Sequence, residues 1–529
     1  MGLLRSTQTM AIGTVASRVT GFLRTAVLAA VLGVQGVALA FNVANTAPNI
    51  VYDLLLGGIL TSVVVPLLVR ADREGHGEAY AQRLLTLALL TLGAASVVLV
   101  VLAPQIVDLY ANKDVTPDTR HLAVTFARFF LPQVLFYGLG AILGAYLNTR
   151  GRFGPPMWAP VLNNLVVIVT GLVFLLLPGP SHLTSGSVTE TQVVVLGVGV
   201  TLGIVAQTVA LLPALRATGL HLRLRFDLRG TGLGHAARLA RWTFVYVACN
   251  QLVFVVVVQL ATGTHHERDY SSFTYAYLLW QLPHAVVAVS VITALLPAMS
   301  RAAATDRPGE LRRLLDRGLR LTVTALVPAA VAYLVLGRSV ATLVFGHGRT
   351  SVGEARFIGT LLAVFACGLV AFSVYQLQLR AFYALQDTRT AAFVNFAVNG
   401  TTVVADVLLY VLLPDHLKVL GLAAGQSLAY VVGAAVCTRV LSGRLPPDPD
   451  GFVLRTAVRC LFAAVLPALG ALGVVAVAER IVGTGTPGAL LATAGGGAVL
   501  LAGYLAAARR VRVPEVEQLA GPVLARLGR

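Results

Sequence analysis

Two arginines, Arg18 and Arg24, flank Gly21 in the otherwise apolar stretch SRVTGFLR (17–24). A guanidinium grips phosphate oxygens with paired donors, so this pair suits an anionic group such as a diphosphate. On an ideal helix the two side chains point about 120° apart, and a bend at Gly21 would turn both toward one cavity. Snorkelling to the membrane interface, or pairing with Asp53, is the competing explanation. Asp406, in TTVVADVLLY (401–410), is a lone acid deep in an apolar run. With Thr402 one turn away and Asn399 two turns away it suits a coupling Na⁺ or proton, or else a structural hydrogen bond.

The amides Asn42, Asn45, Asn49, Asn163, Asn164, Asn250 and Gln251 line a polar cavity or join helices. Asn49 and Asp53 are candidates for the substrate side and Asn250 for the ion side. His284, in WQLPHAVVAVS (280–290), follows a possible proline bend and is a further cavity candidate; Arg128 and Arg380 sit at helix ends and read as packing or snorkelling. Cys249, Cys367, Cys437 and Cys460 lie in or beside apolar segments without CxxC spacing, and adjacent His265 and His266 point apart, so no metal site is expected. A GxxxxGK[ST] phosphate loop is absent, which excludes the engine of an ATP-driven pump.

The elements that must position these groups are membrane helices. Of 529 residues 57% are hydrophobic and 12% charged, about half the charge of a soluble domain. The net charge of +17 is dispersed in short arginine loops, not gathered in a patch for nucleic acid. About fourteen stretches are long enough to span. They centre on 8–33, 43–69, 84–109, 122–148, 157–178, 191–215, 238–261, 272–300, 319–345, 357–384, 391–413, 419–441, 455–482 and 487–508. The termini and every second loop hold about 28 arginines against about eight basic residues in the intervening loops, which predicts cytoplasmic termini.

The chain also repeats. LTSVVVPLLVRA (60–71) matches ITALLPAMSRA (292–302), and YLNTRGRF (146–153) matches YALQDTRTAAF (383–393), at offsets of 231 and 237 residues. With six helices between them the repeats are parallel, which predicts an all-α integral membrane fold of two six-helix lobes plus two C-terminal helices. The expected divisions are a lobe at 1–217, a cytoplasmic amphipathic linker at 218–236, a lobe at 237–442, and two further helices with a cytoplasmic tail at 443–529. The linker, alternating apolar residues with arginines, is expected on the membrane surface. GGG at 495–497 reads as close helix packing.

At SRVTGFLR, Pro48-Asn49, the Pro66–Arg70 helix end, GAYLNTRGRFGPPMWAPVLNN (144–164), LLPAMSR (295–301), VFGHGRTS (344–351) and FYALQDTRT (382–390), the sequence resembles the MurJ/MviN family of lipid II flippases. That family belongs to a wider superfamily that includes multidrug exporters and polysaccharide flippases. The resemblance implies transport of a polyprenyl-diphosphate-linked glycan from the inner to the outer leaflet of a bacterial cytoplasmic membrane by alternating access. It further implies a drive by membrane potential or by Na⁺ or H⁺, no other cofactor, a tail groove in the last two helices, and a possible association with cell-wall synthesis proteins. Arg18 and Arg24 match the family's cavity arginines. Its acid at the end of span one is replaced by Leu39, its Arg-Arg pair after the PN by Tyr52 and Asp53, and its Tyr-Ala-Asp-Arg arginine in span eight by the region of Tyr277, Leu278 and Gln281. These departures leave open another polyprenyl-diphosphate glycan, a cation-coupled exporter using Asp53 and Asp406, or a non-transporting scaffold.

Overall fold

A computed structural model describes residues 2–54, 65–180, 182–221, 223–227, 233–447 and 452–518. Among them the chain is helical. The first helices are α1 (Gly2–Leu32), α2 (Gly36–Leu54), α3 (Val65–Arg73), α4 (Gly77–Val101), α5 (Ala103–Tyr110), α6 (Pro117–Phe130) and α7 (Gln133–Thr149). Next come α8 (Gly154–Leu176), α9 (Glu190–Val209), α10 (Leu212–Arg216), α11 (Leu233–Thr262) and α12 (Arg268–Pro283), which runs through a π-helical turn (His284–Ala288) into α13 (Val289–Ala304). The chain continues with α14 (Pro308–Phe345), α15 (Val352–Ala384), α16 (Thr388–Leu412), α17 (Asp415–Ser442), α18 (Phe452–Ile481) and α19 (Thr486–Arg510).

Twelve of these segments are long and apolar enough to cross a membrane, and Val247–Thr262 in α11 is a shorter apolar helix. The remaining expected stretch, 43–69, is divided between α2 and α3, with 55–64 outside the described residues. The protein is therefore a multi-pass membrane protein. Contacts divide it into two compact units, Met1–Ser271 and Ser272–Arg529. That boundary falls inside α12, because α11 is fastened within the first unit. Gln259 Nε2 donates to the carbonyls of Asp108 and Leu109 at 3.1 and 2.7 Å, and Glu267 accepts from Thr119 at 2.9 Å.

The internal repeat is written most sharply in its helix caps. At the end of α3, His76 N donates to Ala71 O at 2.9 Å and Gly75 N to Asp72 O at 3.1 Å. At the end of α13, Arg307 N donates to Ala302 O at 2.9 Å and Asp306 N to Ala303 O at 3.2 Å. Each is a Schellman cap closing orphan carbonyls through one left-handed residue: Gly75 (φ +77°) in the first unit and Asp306 (φ +51°) in the second. The same cap ends α7, with Arg152 N to Leu147 O and left-handed Gly151, and ends α15, with Asp387 N to Phe382 O and left-handed Gln386. The first pair keeps the expected offset of 231 residues. The second stands at 235 rather than 237, because the backbone turn, not the tyrosine of the matched strings, sets the register.

Asp387 also caps α16, accepting from Thr390 N at 2.9 Å, and pairs with Arg444. Partial burial works against its ionisation, yet the bonds from Thr390 and Arg444 prevail and hold its carboxyl at about 2. The FYALQDTRT motif is thus a helix junction that stays ionised at physiological pH. The described part of the linker is extended and lies along α4: Arg225 N donates to Thr86 Oγ1 at 2.8 Å, and Arg83 pairs with Asp227 at 2.9 Å. Leu224 and Phe226 remain exposed, free to meet the interface.

Small residues set the helix crossings of the second unit. A Cβ on Gly359 of α15 would overlap Gly337 O and the Arg338 backbone of α14. Gly496, within GGG, lies against Leu336 of α14 and Ala471 of α18. The α18–α19 pair is fastened near both its ends, by Arg356–Glu479 at 2.6 Å and Arg320–Glu515 at 2.8 Å. α14 is the longest element, 38 residues, or about 57 Å.

Gly359→Ala is expected to lower the thermal unfolding temperature in detergent, by roughly 1–3 kcal/mol of stability. Gly473→Ala, with open space around it, should leave that temperature unchanged or raise it. Equal effects of the two would refute the crossing as the cause.

Candidate functional site

In the first unit the candidate residues meet where α1, α2 and α7 approach. Arg24 is half-buried, its Nε lacks a hydrogen-bond partner among the described residues, and its charge is within electrostatic reach of Tyr137. The Tyr137 hydroxyl donates to Asn49 Oδ1 at 3.4 Å, and its ring centroid lies 4.6 Å from that of Tyr52. Arg24 and Asn49 are therefore linked through Tyr137, a residue with no charge or motif to flag it in the sequence. The side chain of Asp53 lies outside the described residues.

Arg18 is exposed on the same helix. α1 runs unbroken through Gly21, so six residues separate the arginines by about 120° and roughly 9 Å along the axis. The space beside Gly21 is taken by Asn164, whose amide donates to Ser17 O at 3.1 Å and Thr20 Oγ1 at 3.0 Å. The glycine thus accommodates a neighbouring helix in place of a break. Asn164 acts as glue between α8 and α1. Asn250 is half-buried on α11.

In the second unit His284 opens the π-helical turn just after Pro283. Its Nδ1 is 2.8 Å from Ser373 Oγ, and its ring lies 4.5 Å from that of Phe372. Trp280 is packed between Tyr277, Phe365, Phe372 and Tyr430, with centroids 4.9–5.7 Å apart. Both this cluster and the Tyr52–Tyr137 pair present flat, amphipathic surface.

Asp406 is 1% exposed, and neither carboxyl oxygen has a hydrogen-bond partner among the described residues. It lies against α17 at Gly425, where any Cβ would overlap Oδ1. Thr402, one turn earlier, is also buried and returns its hydroxyl proton to Val398 O at 3.1 Å. Its oxygen keeps its acceptor capacity.

The model of the family described as lipid II flippase MurJ matches residues 28–494. The chain belongs to that family. A probable lipid II flippase MurJ of Rhizobium meliloti is 28% identical over 458 residues, covering 84% of this chain and 81% of that protein. The lipid II flippase MurJ of Burkholderia cenocepacia is 29% identical over 456 residues, covering 83% of each. Among solved structures, a lipid II flippase MurJ in an inward closed conformation superposes with TM-score 0.72 at 18% identity, covering 93% of this chain and 98% of that one. An inward-facing multidrug resistance MATE family transporter of the MOP superfamily gives 0.66 at 15% identity, covering 80% and 94%. The family is one of transporters, so this chain is a transporter and not an enzyme.

If Asp406 is accommodated by Gly425, Gly425→Ala should lower the unfolding temperature, and adding Asp406→Ala should recover most of the loss, a coupling that a double-mutant cycle in detergent measures. Strict additivity would show that the two sites do not touch.

Proposed function

We propose that this protein carries lipid II from the inner to the outer leaflet of a bacterial cytoplasmic membrane. The family match over residues 28–494 carries this reading, and the half-buried, partly unpartnered Arg24 supports it from the geometry. In this mechanism Arg24 holds the diphosphate, Asn49 and the Tyr137 hydroxyl supply neutral hydrogen bonds beside it, and exposed Arg18 makes the first contact. Arginine is suited to the task because its fork matches two phosphate oxygens at once. Tyr52 and Tyr137 add apolar faces and hydroxyl tips, giving a grip that depends less on Coulomb attraction.

Alternating access then arises from rocking of the first lobe, with α11 fastened to it, against the second, with the termini cytoplasmic and 455–510 guiding the polyprenyl tail. An ionised carboxylate without partners is costly in such an interior, so Asp406 takes up a proton or Na⁺, with Thr402 as neighbouring ligand. The bound ion cancels the charge, and its release restores it, which couples the cycle to the ion gradient or the membrane potential.

The test is the exposure of lipid II on the outer leaflet of cells depleted of their own flippase. Expression of this chain should restore exposure, and Arg24→Ala should abolish it at equal membrane abundance. Failure of the unaltered chain to restore exposure would exclude lipid II and turn the search to another polyprenyl-diphosphate glycan. Transport by Asp406→Asn should continue without responding to Na⁺ or pH; a response equal to that of the unaltered protein would remove Asp406 from coupling.

A further inference from the structure

A second cationic site lies far along the chain from Arg24, at the end of the molecule where α18 begins and α19 ends. These helices form a hairpin, so the two termini share one membrane boundary. A cavity of about 430 Å³ opens there, lined by Arg320, Arg455, Arg459, Arg509 and Arg512. Glu515 and Glu517 are the acids in its wall, so positive charge exceeds negative. Arg320 is spent on Glu515 at 2.8 Å. The other four arginines have no ion pair among the described residues. Arg455 and Arg459 repel one another one turn apart on α18.

Two further features show that this crowding is built. α19 ends in the same Schellman cap that closes α3 and α7, with Val513 N to Ala508 O at 3.0 Å and Arg512 N to Arg509 O at 3.1 Å. Its left-handed residue is Arg512, with φ +57°, where α3 and α7 use glycine and α13 and α15 use Asp306 and Gln386. A side chain there costs about 1 kcal/mol or more, and its carbonyl is held by Arg459 Nη1 at 3.2 Å. Secondly, the α18 surface next to the arginines is strongly apolar: Leu454, Phe462 and Leu466 are 73%, 72% and 77% exposed. A ligand that uses both surfaces must be anionic at one end and hydrocarbon at the other.

We propose that this cavity binds the phosphate headgroup of an anionic phospholipid, whose acyl chains lie along α18. Basic pockets between membrane helices hold such headgroups, and arginine is the residue best fitted to them. The Arg320–Glu515 pair holds the 513–517 segment as the far wall. None of its arginines is among the residues assigned above to the diphosphate or the coupling ion.

The experiment measures lipid selectivity of the full-length protein in phosphatidylcholine nanodiscs, from the motionally restricted fraction of spin-labelled phosphatidylglycerol against spin-labelled phosphatidylcholine. The unaltered protein should prefer phosphatidylglycerol, and Arg455→Gln with Arg459→Gln should reduce that preference about tenfold. Arg512→Gly should weaken it while leaving the unfolding temperature unchanged or raised, since glycine suits the cap; Glu517→Gln should strengthen it. A charge-matched control, Arg301→Gln with Arg313→Gln, both exposed and outside the cavity wall, should change little. Absence of preference in the unaltered protein, or an equal loss in the control, would overturn the proposal. Displacement of the label by millimolar inorganic phosphate would assign the cavity to free phosphate and overturn the lipid as its ligand.

Discussion

In hydrocarbon no water is present to receive an unpaired N–H or C=O, and every other feature of this molecule follows from that constraint. It makes the chain helical throughout the described residues and lengthens its helices beyond those of soluble domains. It also concentrates structural specificity where helices end. The matched caps of α3 with α13 and of α7 with α15 are the places where the backbone must leave a helix and close its last carbonyls. There the two units solve the same problem in the same way, with glycine in one and Asp306 or Gln386 in the other.

The same constraint sorts polar side chains into two groups. Most return their protons to a carbonyl or a neighbouring helix, as Thr402 does to Val398 and Asn164 does to Ser17. The bonds that cross to another helix hold helices together, and those within a helix, like that of Thr402, leave only oxygen lone pairs for a ligand. Others are left without such closure among the described residues, including Arg24 Nε and both oxygens of Asp406. A charged group left so is the costliest to bury. Glycine has a complementary part: at Gly359 it lets backbones touch, and at Gly425 it makes room for a carboxylate.

Much of the architecture was legible in the sequence because a bilayer demands about 20 apolar residues per crossing. The Pro–x–x–x–Arg helix ends also announced the repeat at its true offset of 231 residues. The second repeat element was read two residues out, since string similarity followed tyrosines while the fold followed the left-handed turns at Gly151 and Gln386. Arg18, Arg24 and Asp406 stood out as charges in apolar runs. Tyr137, which links Arg24 to Asn49, did not, because a tyrosine in a membrane helix has no anomalous charge. Gly21 offered a place for a bend that would bring the two arginines together, and is instead a packing notch for Asn164 in a continuous helix. The arginine cavity was invisible for another reason: Arg320, Arg455 and Arg512 come from three helices and only the fold brings them together.

α14 has a mechanical consequence. A rod of about 57 Å crosses a hydrocarbon layer of about 30 Å, so nearly half of it stands outside. Its leading turns are stiffened by Arg312–Asp316 and joined by Arg320 to the last described helix segment. Pro328 lies between the Gly337–Gly359 crossing and that protruding end, and an interior proline removes a backbone hydrogen bond and bends a helix. The outer part of α14 is therefore set at an angle fixed by Pro328, and a reporter attached to its first turn reads that angle.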